Sequence, residues 1–214
     1  MNPKKLLDII AEGESTTVEF KRKSTTALKL AKEIAAMANT SGGFLIVGVD
    51  DNRKIYGIES EKAESDIVTQ ACTFYIEPPL EPDISIISIH DKDVLLLRIT
   101  ESKIKPHRVI KDCNEKLSEQ KVYIRLGEKS VEASREMTRL MKHQTEDKPV
   151  KLSIGENEKR LFAYLEKKER ITVKDFARIV NISDRRAERL LIRLVRIGTL
   201  SIHNDSNRDY FTLK

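Results

Sequence analysis

Apolar positions recur along the chain with two different periods. Leu6, Leu7, Ile10 and Ala11 have helical spacing, and Leu28, Ala31, Ile34, Ala35 and Ala38 mark one face of a second helix. Between them, Val18-Glu19-Phe20-Lys21 alternates like a short strand. Asn39-Thr40-Ser41-Gly42-Gly43 ends the second helix, with glycines available for a left-handed cap. Phe44 to Val49 is a continuous apolar run, the pattern of a strand buried on both faces. Turn chemistry at 50–54 and the return of Ile55-Tyr56-Gly57-Ile58 predict a hairpin there. A helix is expected over 60–74, and strands over Ile84 to His90, Val94 to Ile99 and Val122 to Gly127. Residues 133–143 close this part as a helix. The fold class is α+β, a mixed α/β unit.

The polar stretch from Gln144 to Gly155 carries Pro149 and Gly155 and has no sustained period, which is linker chemistry. It divides the chain into a domain at 1–146, a linker at 147–155 and a second domain at 156–214. In the second domain, Leu161, Phe162 and Leu165 stripe a helix over Glu158 to Lys168. Thr172 can cap a helix that turns Phe176, Ala177 and Val180 inward. Ser183 can cap a third helix, which runs to about Ile197 before Gly198. A hairpin over Thr199 to His203 and Tyr210 to Leu213 follows. Three helices and a hairpin in this order make a winged helix.

Charge sharpens that reading. The chain has 214 residues and a net charge of +5. Residues 151–214 hold 15 Lys/Arg against 9 Asp/Glu, and residues 1–150 hold 24 against 25. The basic excess therefore lies entirely in the smaller domain, which points to a polyanionic partner. The third helix concentrates it. At 100° per residue, Arg196, Arg189 and Arg193 fall at about 20°, 40° and 80° from Arg185. Leu190, Leu194, Ala187 and Leu191 take the opposite side, and Ile192 interrupts the basic face. Guanidinium forks match phosphates and the guanine edge, so the stripe suits a duplex groove. Arg185, Arg186, Arg189, Arg193 and Arg196 are the candidate contacts, with Arg208 in the wing.

In the first domain, three separated motifs stand in order. They are Glu14-Ser15-Thr16-Thr17-Val18-Glu19-Phe20-Lys21, Ala38-Asn39-Thr40-Ser41-Gly42-Gly43, and Gly48-Val49-Asp50-Asp51 followed by Gly57. Val122 to Gly127 with Ala133-Ser134 closes the series. Residues 5–142 thereby resemble the Schlafen-type AlbA-2 domain, also known as the divergent AAA or "ATP-binding" family. The resemblance implies an α/β fold associated with nucleic acids. In prokaryotes such a domain is often followed by a helix-turn-helix, and the combined proteins are usually described as transcriptional regulators. Some animal Schlafen proteins are RNA endonucleases with three carboxylates, and the matching positions here are Glu14, Glu19 and Asp51. That site would hold Mg²⁺ or Mn²⁺ to activate water, with Lys21 neutralising a phosphate oxygen. The same residues have structural readings, with Glu14 as a cap, Glu19 paired to Lys21 or Arg22, and Asp51 shaping a turn. The animal enzymes pair two such lobes and carry Cys/His zinc ligands, neither of which this chain shows.

Other chemistry finds little support. No GxxxxGK[ST] is present, so no P-loop supports ATP, and Gly42 and Gly43 read as turn residues. The four histidines are scattered without metal-ligand spacing. Cys72 and Cys113 stand far apart, which fits a reducing, cytoplasmic setting and no disulfide framework. No apolar run approaches a bilayer span, and no signal peptide is expected. Lys103, Lys105, His107, Arg108 and Lys111 form a second basic segment, which tracks a nucleic-acid backbone or is simply solvated. The expectation is a homodimeric DNA-binding transcriptional regulator without a cofactor. Double-stranded DNA is the first partner and RNA the second. The alternatives are a metal-dependent nuclease and a ligand- or protein-interaction module.

Overall fold

A computed structural model describes residues 1–112, 114–117, 119–144, 154–205 and 208–214. The chain forms two compact units, Met1–Ala133 and Ser134–Lys214. Each has its own core.

The first unit begins with α1 (Pro3–Glu12), whose first turn is capped by Asn2, with Pro3 at its opening position. β1 (Val18–Lys21) leads into α2 (Ala27–Asn39), and β2 (Gly43–Val47) returns parallel to β1. α3 (Glu61–Phe74) and the short β3 (Ile76–Glu77) follow. β4 (Asp83–Ile89) and β5 (Lys92–Ile99) form an antiparallel pair, and β5 also pairs with β2. The first sheet therefore has the order β1-β2-β5-β4. β6 (Arg108–Val109), β7 (Lys121–Leu126) and β8 (Lys129–Glu132) complete a second sheet of order β3-β6-β7-β8.

Alternation along the central strands sorts the core. Ile46, Val94 and Leu96 pack with Leu6 and Ile10 of α1 on one face of the first sheet. Leu45, Val47, Leu95 and Leu97 pack with Leu30, Ile34 and Ala38 of α2 on the other. The same α2 meets Val109 and Tyr123 of the second sheet. A helix held between two sheets is buried nearly all round. That accounts for Ala31, Ala35, Ala36 and Ala38, whose small side chains let both layers approach.

The turn after α2 depends on glycine. Gly42 and Gly43 have φ of 67° and 140°. A Cβ at Gly43 would stand 2.1 Å from the Thr17 carbonyl oxygen, so only glycine lets β2 come alongside the chain entering β1.

The hairpin expected at 44–58 does not form. Only an isolated bridge joins Val49 to Ile55. Gly48, at φ 107°, ends β2, and the Tyr56 and Gly57 N–H groups both donate to its carbonyl. Ile58 N–H then donates to the Asp93 carbonyl, which bends 55–58 toward the start of β5. β2 already has ladder partners on both edges, so a third strand has no edge to join.

The second unit opens with α4 (Arg135–Gln144), assigned above to the end of the first domain, which packs against α7 (Asp184–Ile197). Ser134 Oγ accepts from Met137 N–H and so caps α4. Most of the expected linker lies outside the described residues. α5 (Glu156–Leu165) and α6 (Val173–Val180) precede α7, and β9 (Leu200–Asp205) and β10 (Arg208–Leu213) form an antiparallel hairpin. Thr172 Oγ1 accepts from Asp175 N–H at 3.2 Å, the cap expected from its position. Ser183 stands at the N-cap of α7, where its carbonyl rather than its hydroxyl accepts from Arg186 and Ala187. Gly198 ends α7 in the left-handed region at φ 84°. Leu161, Phe176, Leu191, Leu194, Leu200 and Phe211 form the core between the helices and one face of the hairpin.

Candidate nucleic-acid interface

α7 presents its arginines unequally. Arg185, Arg186 and Arg189 are exposed along its first two turns. An open depression of about 510 Å³ is lined by Arg186, Arg189, Leu190 and Arg193. Arg193 is committed elsewhere, since its guanidinium donates to Glu158 Oε1 at 2.5 Å. The Glu158 carboxylate is buried and also accepts from Gly155 N–H at 3.0 Å, capping α5. Arg193 therefore joins α7 to α5 and is removed from the group of candidate contacts whose charge is free for a ligand. Arg196 is partly buried near the end of α7. The Arg208 side chain lies outside the described residues.

The opposite flank of the stripe is covered. Glu188 and Ile192 are buried, and the Glu188 carboxylate pairs with the guanidinium of Arg139 on α4. Ile192 does not interrupt an exposed face, because α4 packs along that side of α7. What remains open is a patch built on Arg185, Arg186 and Arg189, with three positive charges and, among the described residues, no acid bonded to them.

The carboxylates of the first unit are arranged differently from a metal centre. Glu14 is half-buried, and its Oε1 accepts from Phe20 N–H at 2.8 Å. Burial raises its pKa above the ordinary carboxylate value, the Phe20 bond opposes this, and the charges of Glu19 and Asp51 add to it. Glu19 is buried and held by two cations. Arg125 Nη1 donates to it at 2.9 Å, and Lys21 Nζ pairs with its other oxygen. Lys21 also donates to the Phe20 carbonyl at 3.0 Å, so its charge is already used. Asp51 is exposed, and the adjoining turn is shaped by Asp50, whose Oδ1 accepts from Asn52 and Lys54 N–H. Among the described residues, no three His, Cys, Asp or Glu side chains form a group able to hold a metal ion. A divalent cation would have to displace Arg125 and Lys21 from Glu19, so this donor set does not fit one as it stands.

Two residues of this network were missed in the sequence. Arg125 is fully buried, and it also donates to Glu33 at 3.2 Å, Ser130 Oγ at 3.2 Å and the Ser15 carbonyl at 2.8 Å. The available signal was an arginine inside the apolar alternation Val122 to Leu126. Glu33 gave none, because one acid on a helix reads as surface.

Two of the five basic residues at 103–111, Lys105 and His107, are engaged in holding the fold, while Lys103 and Lys111 are exposed. Lys105 donates to the Thr40 carbonyl and pairs with Glu101 at 2.5 Å. His107 is buried, with Nδ1 2.7 Å from the Pro78 carbonyl and Nε2 2.7 Å from Ser102 Oγ. A carbonyl only accepts, so Nδ1 carries the proton and Nε2 accepts from Ser102. Asn39 donates to the His107 and Tyr123 carbonyls and accepts from His107 N–H, tying α2 to the second sheet.

A unit of two sheets around a central helix, closed by the strand that carries Arg125, is matched at residues 14–134 by the family model described as Schlafen, AlbA_2. That is more than half of the chain, and the chain belongs to this family. Two solved structures are similar to it. One is the DIP2311 protein from Corynebacterium diphtheriae, at 26% identity over 56% of this chain, with a TM-score of 0.41. The chain spans only 26% of that protein's length. The other is the N-terminal domain of a RecG-related protein from Nitrosomonas europaea, at 22% identity, with 63% of this chain and 93% of that one covered and a TM-score of 0.45. Among the described residues, no helix is long and apolar enough to cross a membrane.

Proposed function

We propose that the chain is a DNA-binding transcriptional regulator whose second unit is a winged helix that reads duplex DNA. The observation that carries this is the patch of Arg185, Arg186 and Arg189, exposed on a helix that follows a short helix and tight turn and precedes a hairpin. In that arrangement the first turns of α7 meet base edges, and neighbouring cations meet phosphates. The AlbA_2 unit serves in regulation or in further nucleic-acid contact. Regulators that read half-sites commonly pair, so a homodimer is the expected active form. The nuclease alternative gains nothing from Glu19, whose charge is neutralised by Arg125 and Lys21.

The test is duplex binding by the full chain, measured by fluorescence anisotropy with Mg²⁺ or with EDTA. Arg186→Glu with Arg189→Glu should reduce affinity by at least about 100-fold, while thermal unfolding stays unchanged. Unchanged affinity would remove α7 from the interface. Cleavage products that disappear in EDTA would make the protein an enzyme instead.

A further inference from the structure

The hairpin has a second face. Phe211 is buried and Ile202 packs beside it against the helices, so the intervening residues of each strand point away from the core. In the register, His203 pairs with Tyr210 on that outward face. Their rings are stacked, with centroids 5.0 Å apart and planes 15° from parallel. Thr212 Oγ1 lies 2.9 Å from His203 Nε2 and holds the imidazole in orientation. The guanidinium of Arg170 stands 5.6 Å from the Tyr210 ring centre.

These groups line an open groove of about 1140 Å³, together with Lys167 and Lys168 from the turn after α5. Two acids also border it. Asp175 accepts from the Thr172 hydroxyl at 2.6 Å and faces Arg178 at 3.9 Å, which leaves Glu169 against three cations. A layered arginine, tyrosine and histidine on the solvent side of a hairpin contributes nothing to the core. Its chemistry is that of a stacking platform beside a cationic track.

We propose that this groove binds single-stranded nucleic acid. An unpaired base extends the His203–Tyr210 stack, while Lys167, Lys168 and Arg170 take the flanking phosphates. Bases inside a duplex offer no free face for stacking, so the ligand is a strand with unpaired nucleotides. The groove also exceeds the roughly 300–1,000 Å³ typical of a pocket for one small ligand, which favours several linked nucleotides over one. It lies on the hairpin face opposite α7, and the proposal stands independently of the duplex reading above.

The test uses the full chain with a fluorescein-labelled 12-nucleotide DNA strand, its RNA counterpart, a strand containing 2-aminopurine, and a blunt duplex. Wild-type protein should bind the single strands and quench the 2-aminopurine. His203→Ala and Tyr210→Ala should each weaken strand binding about tenfold, and Tyr210→Phe should retain it. Lys167→Gln with Arg170→Gln, which alters only exposed side chains, should weaken strand binding and flatten its salt dependence. All these variants should bind the duplex as wild type does, and Arg186→Glu with Arg189→Glu should leave strand binding intact. Strand affinity unchanged in both the aromatic and the cationic variants would overturn the proposal. So would a strand affinity lost together with duplex affinity in the α7 variant. Binding of AMP, CMP, GMP or UMP in equilibrium dialysis, without binding of any strand, would reassign the groove to free nucleotides and overturn the strand assignment.

Discussion

Arg125 balances two carboxylates from a position with no access to water. Its partners Glu19 and Glu33 come from β1 and α2, so one guanidinium joins three elements of the AlbA_2 unit. Removing it leaves Glu19 buried without that partner, which costs several kcal/mol in comparable buried pairs. Arg125→Met should therefore destabilise this unit by about 3 kcal/mol in urea unfolding followed by circular dichroism. His107 makes the same unit sensitive to pH. Burial lowers its pKa below the ordinary 6.5, outweighing the bond to Pro78. As pH falls from 6.5 toward the lower folded value, the unfolded chain binds a proton that the folded chain refuses, so stability declines with pH. His107→Gln should remove that slope in urea midpoints measured between pH 7 and pH 5. Glu14 acts in the opposite sense, since its raised pKa lets the folded state take up a proton first as pH falls toward 4.5. Neither histidine nor arginine showed its role in the sequence, because burial of a polar side chain depends on partners far away along the chain.

The elements of the second unit separate the proposed binding from stability. Thr172 caps α6, and Thr172→Ala should cost the second unit about 1 kcal/mol. Arg193 holds the buried Glu158, so Arg193→Ala should cost roughly 2 kcal/mol, whereas Arg186→Ala should stay within about 0.5 kcal/mol. Thermal unfolding of the three variants distinguishes these outcomes. Helical periodicity placed α7 and its opposed faces well, because the apolar stripe from Ala187 to Leu194 must face the core. It overestimated the free basic face. A helical wheel assigns direction, but only neighbouring helices show which directions stay open. Here α4 and α5 bracket α7.

Over the whole molecule, two cores imply two unfolding events. Arg125→Met should shift one and Thr172→Ala the other, and calorimetry of the full chain checks this. The net charge of +5 belongs to the chain as a whole, whereas the proposed duplex interface is the local patch on α7. If its three exposed arginines each neutralise one phosphate, log affinity for duplex should fall with log salt at a slope of about −2.7. Substitution of Arg186 and Arg189 should bring that slope to about −0.9 in anisotropy titrations between 50 and 200 mM KCl.

The sequence by itself determined where the helices and the central strands run, because a buried face repeats every 3.6 residues in a helix and every two in a strand. It also determined the turn at Gly42 and Gly43, where no side chain fits, and the family, through motifs spaced along 5–142. Tertiary structure alone decided which charges stay free. Arg193, Lys21 and Lys105 look like available cations in one dimension, and each is neutralised or bonded by a group brought in by folding. It also assigned α4 to the second unit and turned His203 and Tyr210 to one exposed face. Periodicity reports burial along one element, whereas charge pairing and grooves arise from packing between elements.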